Sequence, residues 1–268
     1  MDDMGVRVAV ITGGGGVLGS AIAVGLARAG IRVGLLDLDE EKAAAALDRV
    51  QSVGGDGMAI GASVLDRRDL ERAAADILGR FGRIDILING AGGNHPRATT
   101  SDETPFFDLP EDAVRFVFDL NFLGSLLPSQ VFGRVMADVG QGVILNIASM
   151  NAFRPLTRIP AYSAAKAAIA NFTQWLAVHL SQNVSPTIRV NAIAPGFYLT
   201  EQNRFLLTEE DGGLTPRGRQ ILDHTPMARF GAPEDLIGTV LWLVSPASAF
   251  VHGIVVPIDG GFSAYSGV

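Results

Sequence analysis

The feature that most constrains this chain is the alternation of short apolar runs with longer, alanine-rich amphipathic stretches. The apolar runs have no polar face, which is typical of strands that are buried on both sides of a parallel sheet. Strands are predicted over Val6–Ile11, Arg32–Asp37, Met58–Ala62, Ile84–Asn89, Val143–Ile147, Ile188–Ala194 and Ile254–Ile258. Helices are predicted over Leu18–Ala29, Glu40–Val53, Arg68–Phe81, Glu111–Asp138, Tyr162–Ser181 and Pro233–Val244. This order predicts an α/β fold, doubly wound, with a parallel sheet of about seven strands and helices on both faces.

Proline and chain length refine this prediction. Pro128 lacks a backbone N–H and is expected to kink or shorten the fourth helix. The 268 residues contain no evident linker or internal repeat, so residues 1–268 are predicted to form one domain. Three long segments, around 93–110, 150–160 and 197–232, are predicted to be functional loops near a substrate.

Composition excludes several classes of protein. The net charge of −7 argues against a nucleic-acid partner. The chain has no cysteine, and therefore neither disulfides nor thiolate chemistry, and no metal site is predicted. It starts without a basic leader and its apolar runs are too short to span a bilayer, so a cytoplasmic protein with no membrane partner is expected.

A glycine-rich turn follows the first predicted strand and opens the first helix, in the stretch VAVITGGGGVLGSAIA. Gly14, Gly16 and Gly19 fit the spacing G-x-G-x-x-G. Glycine lets the backbone approach a pyrophosphate closely, and the helix that follows offers free N–H groups. This context predicts a dinucleotide site.

An acidic residue ends the second predicted strand. Asp37 lies 18 residues beyond Gly19 and can accept hydrogen bonds from both ribose hydroxyls, whereas it would repel a 2′-phosphate. NAD is therefore predicted over NADP. The alternative is that Asp37 only starts a turn, in which Asp39 caps the next helix.

A tyrosine and a lysine stand one helical turn apart in AYSAAKAAIA, on the same face. Tyr162-x-x-x-Lys166 alone is a short pattern that recurs by chance. Other motifs accompany it: Asn89-Gly90-Ala91-Gly92, Asn121, Ser149 at 13 residues before Tyr162, and Pro195-Gly196. Together these resemble the short-chain dehydrogenase/reductase family along essentially the whole chain.

The resemblance implies a Rossmann fold and a division of catalytic labour. Tyr162 would be the general acid and base, Lys166 its activator, Ser149 an orienting hydrogen-bond donor, and Asn121 part of a proton relay through water. A nearby ammonium and the nicotinamide cation should bring the tyrosine pKa down towards neutral pH. The implied cofactor contacts are Gly13, Gly14, Gly16, Val17, Leu18, Gly19, Asp37, Ser63, Val64, Asn89, Gly90, Ala91, Gly92, Tyr162, Lys166, Pro195, Gly196 and Thr200. The resemblance also implies a homotetramer packed through helices 111–138 and 162–181 and through the last strand.

Two positions depart from the family pattern. Val17 stands where a glycine usually lies in the pyrophosphate turn, and this predicts a slightly different turn. Ser63-Val64 replaces the usual Asp-Val after the third strand, so contacts with the adenine are expected to be weaker or rearranged.

The predicted loops are polar and basic for an acidic protein, which suggests a polyhydroxylated acid as substrate. For each single residue, a solvated charge or a hydrogen bond that fixes the loop is the alternative explanation. The candidate substrate residues are Asn94, His95, Arg97, Asn151, Arg154, Arg158, Gln202 and Asn203, with Arg204 beside them.

The same loops are similar to those of one subgroup, the D-mannonate oxidoreductases (fructuronate reductases). The shared stretches are NGAGGNHP, SMNAFRPLTRIPAYSAAKAA, APGFYLTEQNR and DGGFSAYSGV. The implied reaction is the reversible reduction of D-fructuronate with NADH. The main alternative is another sugar or sugar-acid dehydrogenase, such as a gluconate 5-dehydrogenase. A 3-oxoacyl reductase and a non-catalytic NAD-binding sensor are weaker alternatives.

Overall fold

The computed structural model describes residues 6–200, 204, 207–209 and 211–267. The strands are β1 Val8–Thr12, β2 Arg32–Asp37, β3 Gly57–Gly61, β4 Ile86–Asn89, β5 Gly142–Ile147, β6 Ile188–Pro195 and β7 Val255–Ile258. The α-helices are α1 Val17–Arg28, α2 Glu40–Ser52, α3 Arg67–Phe81, α4 Glu111–Phe118, α5 Gly124–Val139, α6 Pro160–Asn183, α7 Pro216–Asp223 and α8 Ile237–Val244.

The strands form one parallel sheet in the order β3-β2-β1-β4-β5-β6-β7. The order reverses direction between β1 and β4, so the loops that leave these two strands diverge to opposite faces and open a crevice. Ligands of such sheets bind at this crevice, beside the carboxyl ends of the strands. The predicted doubly wound fold is confirmed.

Alternate residues of each strand face opposite layers of helices, which explains why the strands are apolar throughout. In β1, Ile11 belongs to a core that includes Ile22 of α1 and Leu243 of α8. Its neighbour Val10 belongs to a second core, which includes Phe132 of α5. All of these side chains are buried, so the sheet holds the crevice between two packed layers.

The long helix predicted over Glu111–Asp138 is interrupted, although not at the proline. A wide π-type turn, Asp119–Leu123, separates α4 from α5, and Pro128 lies within α5. The carbonyl that Pro128 leaves without its regular helical partner is that of Gly124, directly after this turn. The interruption was therefore predicted, but its position was wrong by about one turn.

A helix that the sequence reasoning missed lies in the segment predicted as the loop 197–232. In α7, Thr215 is the N-cap, its hydroxyl accepts a hydrogen bond of 2.9 Å from the N–H of Gly218, and Pro216 is the first helical residue. Thr-Pro is a helix-start signal that could have revealed it. Across the ranges that the structure describes, no helix combines the length and apolarity needed to cross a membrane.

Candidate active site

The turn between β1 and α1 requires glycine at two points. Gly13 has φ = 65°, a left-handed conformation that side chains disfavour. Gly19 packs directly onto it, because a Cβ at Gly19 would lie 2.3 Å from the carbonyl oxygen of Gly13. Gly16 closes the turn by donating its N–H to the same oxygen over 3.1 Å. The turn is therefore tight, and its interior stays open because these glycines carry no side chains.

The start of α1 faces the crevice. Gly16 is its N-cap, and the N–H groups of the first helical turn have no acceptor within the helix. Val17, the departure noted in the sequence, is the first helical residue and its side chain is 36% exposed, so it does not fill the turn. Leu18 packs partly against the core, and Gly14 donates its N–H to Leu36 of β2 over 2.9 Å. The N–H groups thus remain available to an anion.

Asp37 lies beside this turn, at the carboxyl end of β2. One carboxylate oxygen accepts the N–H of Gly15 over 3.0 Å, and the other accepts the N–H of Asp39 over 3.1 Å. Asp39 in turn caps α2 by accepting the N–H of Lys42 over 3.3 Å. Asp37 therefore starts a turn, as the alternative held, and it also faces the glycine turn, where a ribose would lie.

A carboxylate from a helix stands next to the residue that departs from the family after β3. Asp69 of α3 accepts the N–H of Ser63 over 3.0 Å. This hydrogen bond and one from Arg72 lower the pKa of Asp69. Val64 is buried and packs against α5, where a Cβ at Gly124 would lie 3.0 Å from its side chain. A carboxylate is thus present beside the end of β3, although it is supplied by α3 and not by residue 63 itself.

The segment after β4 is attached to β1. The Thr12 hydroxyl accepts N–H groups from Gly90 and Ala91 over 3.1 and 3.2 Å. Asn89 is buried, and its amide donates to Ser129 of α5 and to Asn146 of β5. These contacts fix both walls of the crevice at the point where the sheet reverses direction.

Asn121 is fully buried within the π-type turn. Its amide nitrogen donates to the carbonyls of Gly93 and Val117, each over 2.7 Å, and its amide oxygen accepts the Gly93 N–H over 3.2 Å. Gly92 lies against it, since a Cβ there would be 2.6 Å from the amide oxygen and 3.3 Å from the Lys166 nitrogen. The turn thus brings Asn121 and Lys166 to the same backbone segment.

Lys166 is 5% exposed, and its ammonium donates to the Ile147 carbonyl, at the end of β5, over 2.8 Å. It lies 5.5 Å from the centre of the Tyr162 ring. Burial lowers the pKa of Lys166 to about 8, because desolvation penalises the charged form. Its charge is therefore sensitive to what binds nearby.

Tyr162 is hydrogen-bonded to Ser149 and partly buried. Burial raises its pKa above the ordinary value, and the hydrogen bond from Ser149 offsets part of that rise. The sequence predicted that Lys166 and the nicotinamide cation together would lower this pKa, whereas in the protein alone desolvation dominates. A further positive charge beside the phenol is needed before a phenolate is favoured at neutral pH.

Several candidate substrate residues instead make contacts within their own loops. Asn94 donates to Thr99 over 2.7 Å, and the His95 ring accepts the N–H of Arg97 over 3.1 Å. Arg97 forms a two-pronged ion pair with Asp112 of α4, at 2.8 and 2.9 Å. For these three residues, the structure favours the alternative in which they fix the loop.

The segment after β6 closes the other side of the crevice. Gly196 donates its N–H to Ile258 of β7 over 3.0 Å, and the Thr200 carbonyl accepts the N–H of Arg204 over 2.9 Å. Pro195 is buried at the end of β6. Gln202 and Asn203 lie outside the described residues.

The loop 150–160 carries Arg158, whose charge lies within electrostatic range of Arg217. The carbonyl of Arg158 accepts the N–H of Thr100 over 2.8 Å, which joins this loop to the loop 93–110. Arg217, at the start of α7, has its pKa lowered by burial and then by the charge of Arg158. Among the described residues, no carboxylate forms an ion pair with either guanidinium. Arg154 lies on the same loop, where it lines an open cleft with Ser263.

The family follows from a match to the whole nucleotide-binding and catalytic region. The model of the short chain dehydrogenase family matches residues 7–211, which span β1 to β6 and every catalytic candidate. The chain is a short-chain dehydrogenase. It is therefore an oxidoreductase, and the family named from the sequence motifs is confirmed.

Relatives of this short-chain dehydrogenase match along nearly their full length. The uncharacterized oxidoreductase UxuB of Bacillus subtilis is 53% identical, over 98% of this chain and 96% of the relative. A candidate D-mannonate oxidoreductase from Haemophilus influenzae, solved with bound NAD, is 49% identical with a TM-score of 0.91, over 98% and 96% of the two chains. The 2-dehydro-3-deoxy-D-gluconate 5-dehydrogenase of Dickeya dadantii is 34% identical over 96% of each chain.

The structure changes the interpretation of two residues of this short-chain dehydrogenase. Arg217 was missed because α7 was not predicted, and Thr215-Pro216 was the signal that could have placed it. Asn151 was expected at the substrate, but it is 6% exposed and each of its side-chain polar atoms has a partner in the protein. The described residues contain no cluster suited to a metal ion.

Proposed function

We propose that this short-chain dehydrogenase interconverts a ketone and a secondary alcohol on a sugar acid, with NAD(H) as cofactor and D-fructuronate and D-mannonate as the substrate pair. The observation that carries the sugar acid is the pair Arg158 and Arg217. Two positive charges within electrostatic range of each other, with no salt bridge to an acid among the described residues, favour binding of an anion. Guanidinium groups bind a carboxylate with parallel hydrogen bonds, which fixes its orientation as well as its charge.

The relatives support this assignment. The crystal structure that is 49% identical is named as a candidate D-mannonate oxidoreductase and holds NAD. The Dickeya relative is named for a keto-deoxy sugar acid, so the alternative of another sugar-acid dehydrogenase keeps support. A 3-oxoacyl reductase is less favoured because its thioester carries no carboxylate for these arginines, and a non-catalytic sensor because it has no use for a proton relay.

The residues fit the cofactor. The open glycine turn and the start of α1 would hold its pyrophosphate, and Asp37 its adenosine ribose. When bound, the nicotinamide supplies or accepts the hydride. Lys166 and Asn121 adjoin the Gly92 backbone on the nicotinamide side of the crevice.

The protein's own residues handle the proton. In the direction of ketone reduction, Tyr162 donates its phenolic proton to the carbonyl oxygen as that oxygen gains negative charge. The Ser149 hydroxyl donates a hydrogen bond to the same oxygen and stabilises the charge that develops there. Lys166, held on the Ile147 carbonyl, stabilises the phenolate that remains, and the proposed relay through Asn121 and water restores the proton.

The proposed reaction is tested with a panel of keto sugar acids. We expect fructuronate to be reduced with NADH at the highest kcat/KM, and 5-ketogluconate to be a poorer substrate. The oxidation of NADH is followed by absorbance, with an uncharged keto sugar as the control. Preference for the uncharged sugar would contradict the sugar-acid assignment, and preference for 5-ketogluconate would select the alternative.

Cofactor choice depends on Asp37. NADH should be preferred over NADPH, because the Asp37 carboxylate at the end of β2 would repel the 2′-phosphate. Asp37→Ala should narrow that preference to within about tenfold by relieving the repulsion, since about 1.4 kcal/mol corresponds to a factor of ten. The ratio of kcat/KM with the two cofactors is the measurement.

Asp39→Ala is the matched control, because the Asp39 carboxylate caps α2, whereas that of Asp37 binds Gly15 of the glycine turn. It should leave the cofactor ratio unchanged. Equal use of NADPH and NADH by the wild type would show that Asp37 is not at the ribose.

We also propose that the chain is a homotetramer. Trp175 and Val178 of α6 are 58% and 56% exposed, and Phe116 of α4 is 47% exposed. Large apolar side chains on two neighbouring helices are suited to burial against another copy of the chain. A cytoplasmic location stays a prediction.

A further inference from the structure

Asn151 makes two hydrogen bonds to a single oxygen. It lies in the short turn Met150–Ala152, directly after β5 and Ser149. Its backbone N–H and its side-chain amide nitrogen both donate to the Ser149 hydroxyl oxygen, each over 3.2 Å. The residue is 6% exposed, so water does not compete freely for these contacts.

These two bonds determine what the serine can do. A hydroxyl has one hydrogen to donate and two lone pairs that accept. Asn151 occupies both lone pairs, so the Ser149 hydroxyl is left with its hydrogen alone and can act only as a donor. The acceptor that we assign to this hydrogen is the Tyr162 oxygen, because Ser149 lowers the pKa of that phenol.

The orientation of the Asn151 amide is fixed from the other end. Its oxygen accepts the Leu156 N–H over 3.1 Å and the Ser163 hydroxyl over 3.2 Å. If the amide were flipped, its NH₂ group would face the Leu156 N–H, a donor that cannot accept. Ser163 adjoins Tyr162 in α6, so the amide spans the two catalytic segments.

We propose that Asn151 is a positioning residue that compels the Ser149 hydroxyl to donate, to the Tyr162 oxygen in the free enzyme and to the substrate carbonyl when a ketone is bound. This proposal rests on the proposed function only for the roles of Ser149 and Tyr162, not for the sugar acid. A donor aimed at the phenol oxygen stabilises the phenolate, whereas a hydroxyl free to turn would accept from the phenol and stabilise its protonated form.

The first test is a titration that needs no substrate. The chain has three tyrosines, so the ultraviolet absorbance of tyrosinate can be assigned to Tyr162 by subtracting a Tyr162→Phe sample, with NAD⁺ present throughout. In Asn151→Asp the carboxylate still accepts from Leu156 and Ser163, but it draws the serine hydrogen to itself. We expect the Tyr162 transition to move to higher pH by about one unit, a factor of ten in the ionisation constant.

Two further variants separate orientation from charge and from loop structure. Asn151→Ala adds no charge and should raise the transition in the same direction, by less. Ser163→Ala removes one contact to the amide oxygen and leaves both bonds to Ser149, so it should not move the transition. An unmoved transition in both Asn151 variants, or an equal shift in Ser163→Ala, would overturn the proposal.

The second test is a double-mutant cycle on whichever ketone the enzyme reduces. Asn151→Ala should lower kcat about tenfold with an unchanged KM for NADH, and it should have no further effect in a Ser149→Ala background. Full additivity of the two changes would show that Asn151 acts elsewhere. Failure of fructuronate as substrate would leave both tests intact, so the two proposals fail separately.

Discussion

Replacing Tyr162 by phenylalanine should lower turnover by about 10²–10⁴-fold or more, because the phenol is the group placed to deliver the proton. The aromatic ring that packs against the cluster of Ala98, Ala113, Val117 and Ala161 is retained, so the fold and the cofactor site should persist. Initial rates of NADH oxidation and the equilibrium binding of NADH are the two measurements. The Kd for NADH should stay within about twofold.

The pH dependence of alcohol oxidation gives a second test of the role of Tyr162. Alcohol oxidation requires the phenolate, and burial raises the Tyr162 pKa, so the rate of oxidation should rise with pH towards that pKa. In Tyr162→Phe this rise should disappear. Tyr265→Phe is the matched control, since Tyr265 is 39% exposed near the C-terminus. Turnover of Tyr162→Phe within tenfold of wild type would place the acid elsewhere.

Replacing Arg158 by alanine should raise the activation free energy for the sugar acid by about 2–5 kcal/mol, because Arg158 is proposed to bind the carboxylate. This corresponds to a fall in kcat/KM of at least about 30-fold. Arg217→Ala should have a similar effect, because both guanidinium groups are proposed to bind the same carboxylate. Lysine at either position should restore only part of the loss, since it cannot form the two parallel hydrogen bonds. Fructuronate and an uncharged keto sugar are compared in each variant.

Arg97→Ala is the control for this pair. Arg97 is an arginine of a neighbouring loop, and its guanidinium is already bound to Asp112. Its loss should therefore change kcat/KM by the same factor for both substrates. If Arg154→Ala has the larger effect, the carboxylate lies in the cleft lined by Ser263. If no arginine variant discriminates between the substrates, these loops do not hold the acid.

The strands could be predicted to within two residues because their signal is local. A parallel strand buried on both faces must be apolar throughout, and β2, Arg32–Asp37, coincides with its prediction. The helix over Glu111–Asp138 shows the limit. Nothing in the residues of Asp119–Leu123 marks a wide turn, since this turn is decided by the packing of Asn121 against the Gly93 backbone.

The same division applies to the site. The motifs identified Ser149, Tyr162 and Lys166, and the fold brings them together. Sequence could not tell which polar loop residues face a ligand, because a side chain's direction depends on contacts distant in the chain. Asp112 is 15 residues from Arg97, and Ser163 is 12 residues from Asn151. Both contacts turn a plausible ligand contact into an internal one.

The wide turn between α4 and α5 makes chain length itself a determinant of activity. Each helical residue advances by about 100°, since a turn takes 3.6 residues. Removing one residue from Asp119–Leu123 would restore a regular helix and rotate α4 by that angle relative to α5. The hydrophobic cluster with Ala113 and Val117 would then move away from Tyr162, and Asn121 would move away from Gly93, although all of these side chains were still present. Within Asp119–Leu123 the enzyme should tolerate substitutions better than a change in length. No side chain can restore the rotation of α4 relative to α5 once a residue has been removed.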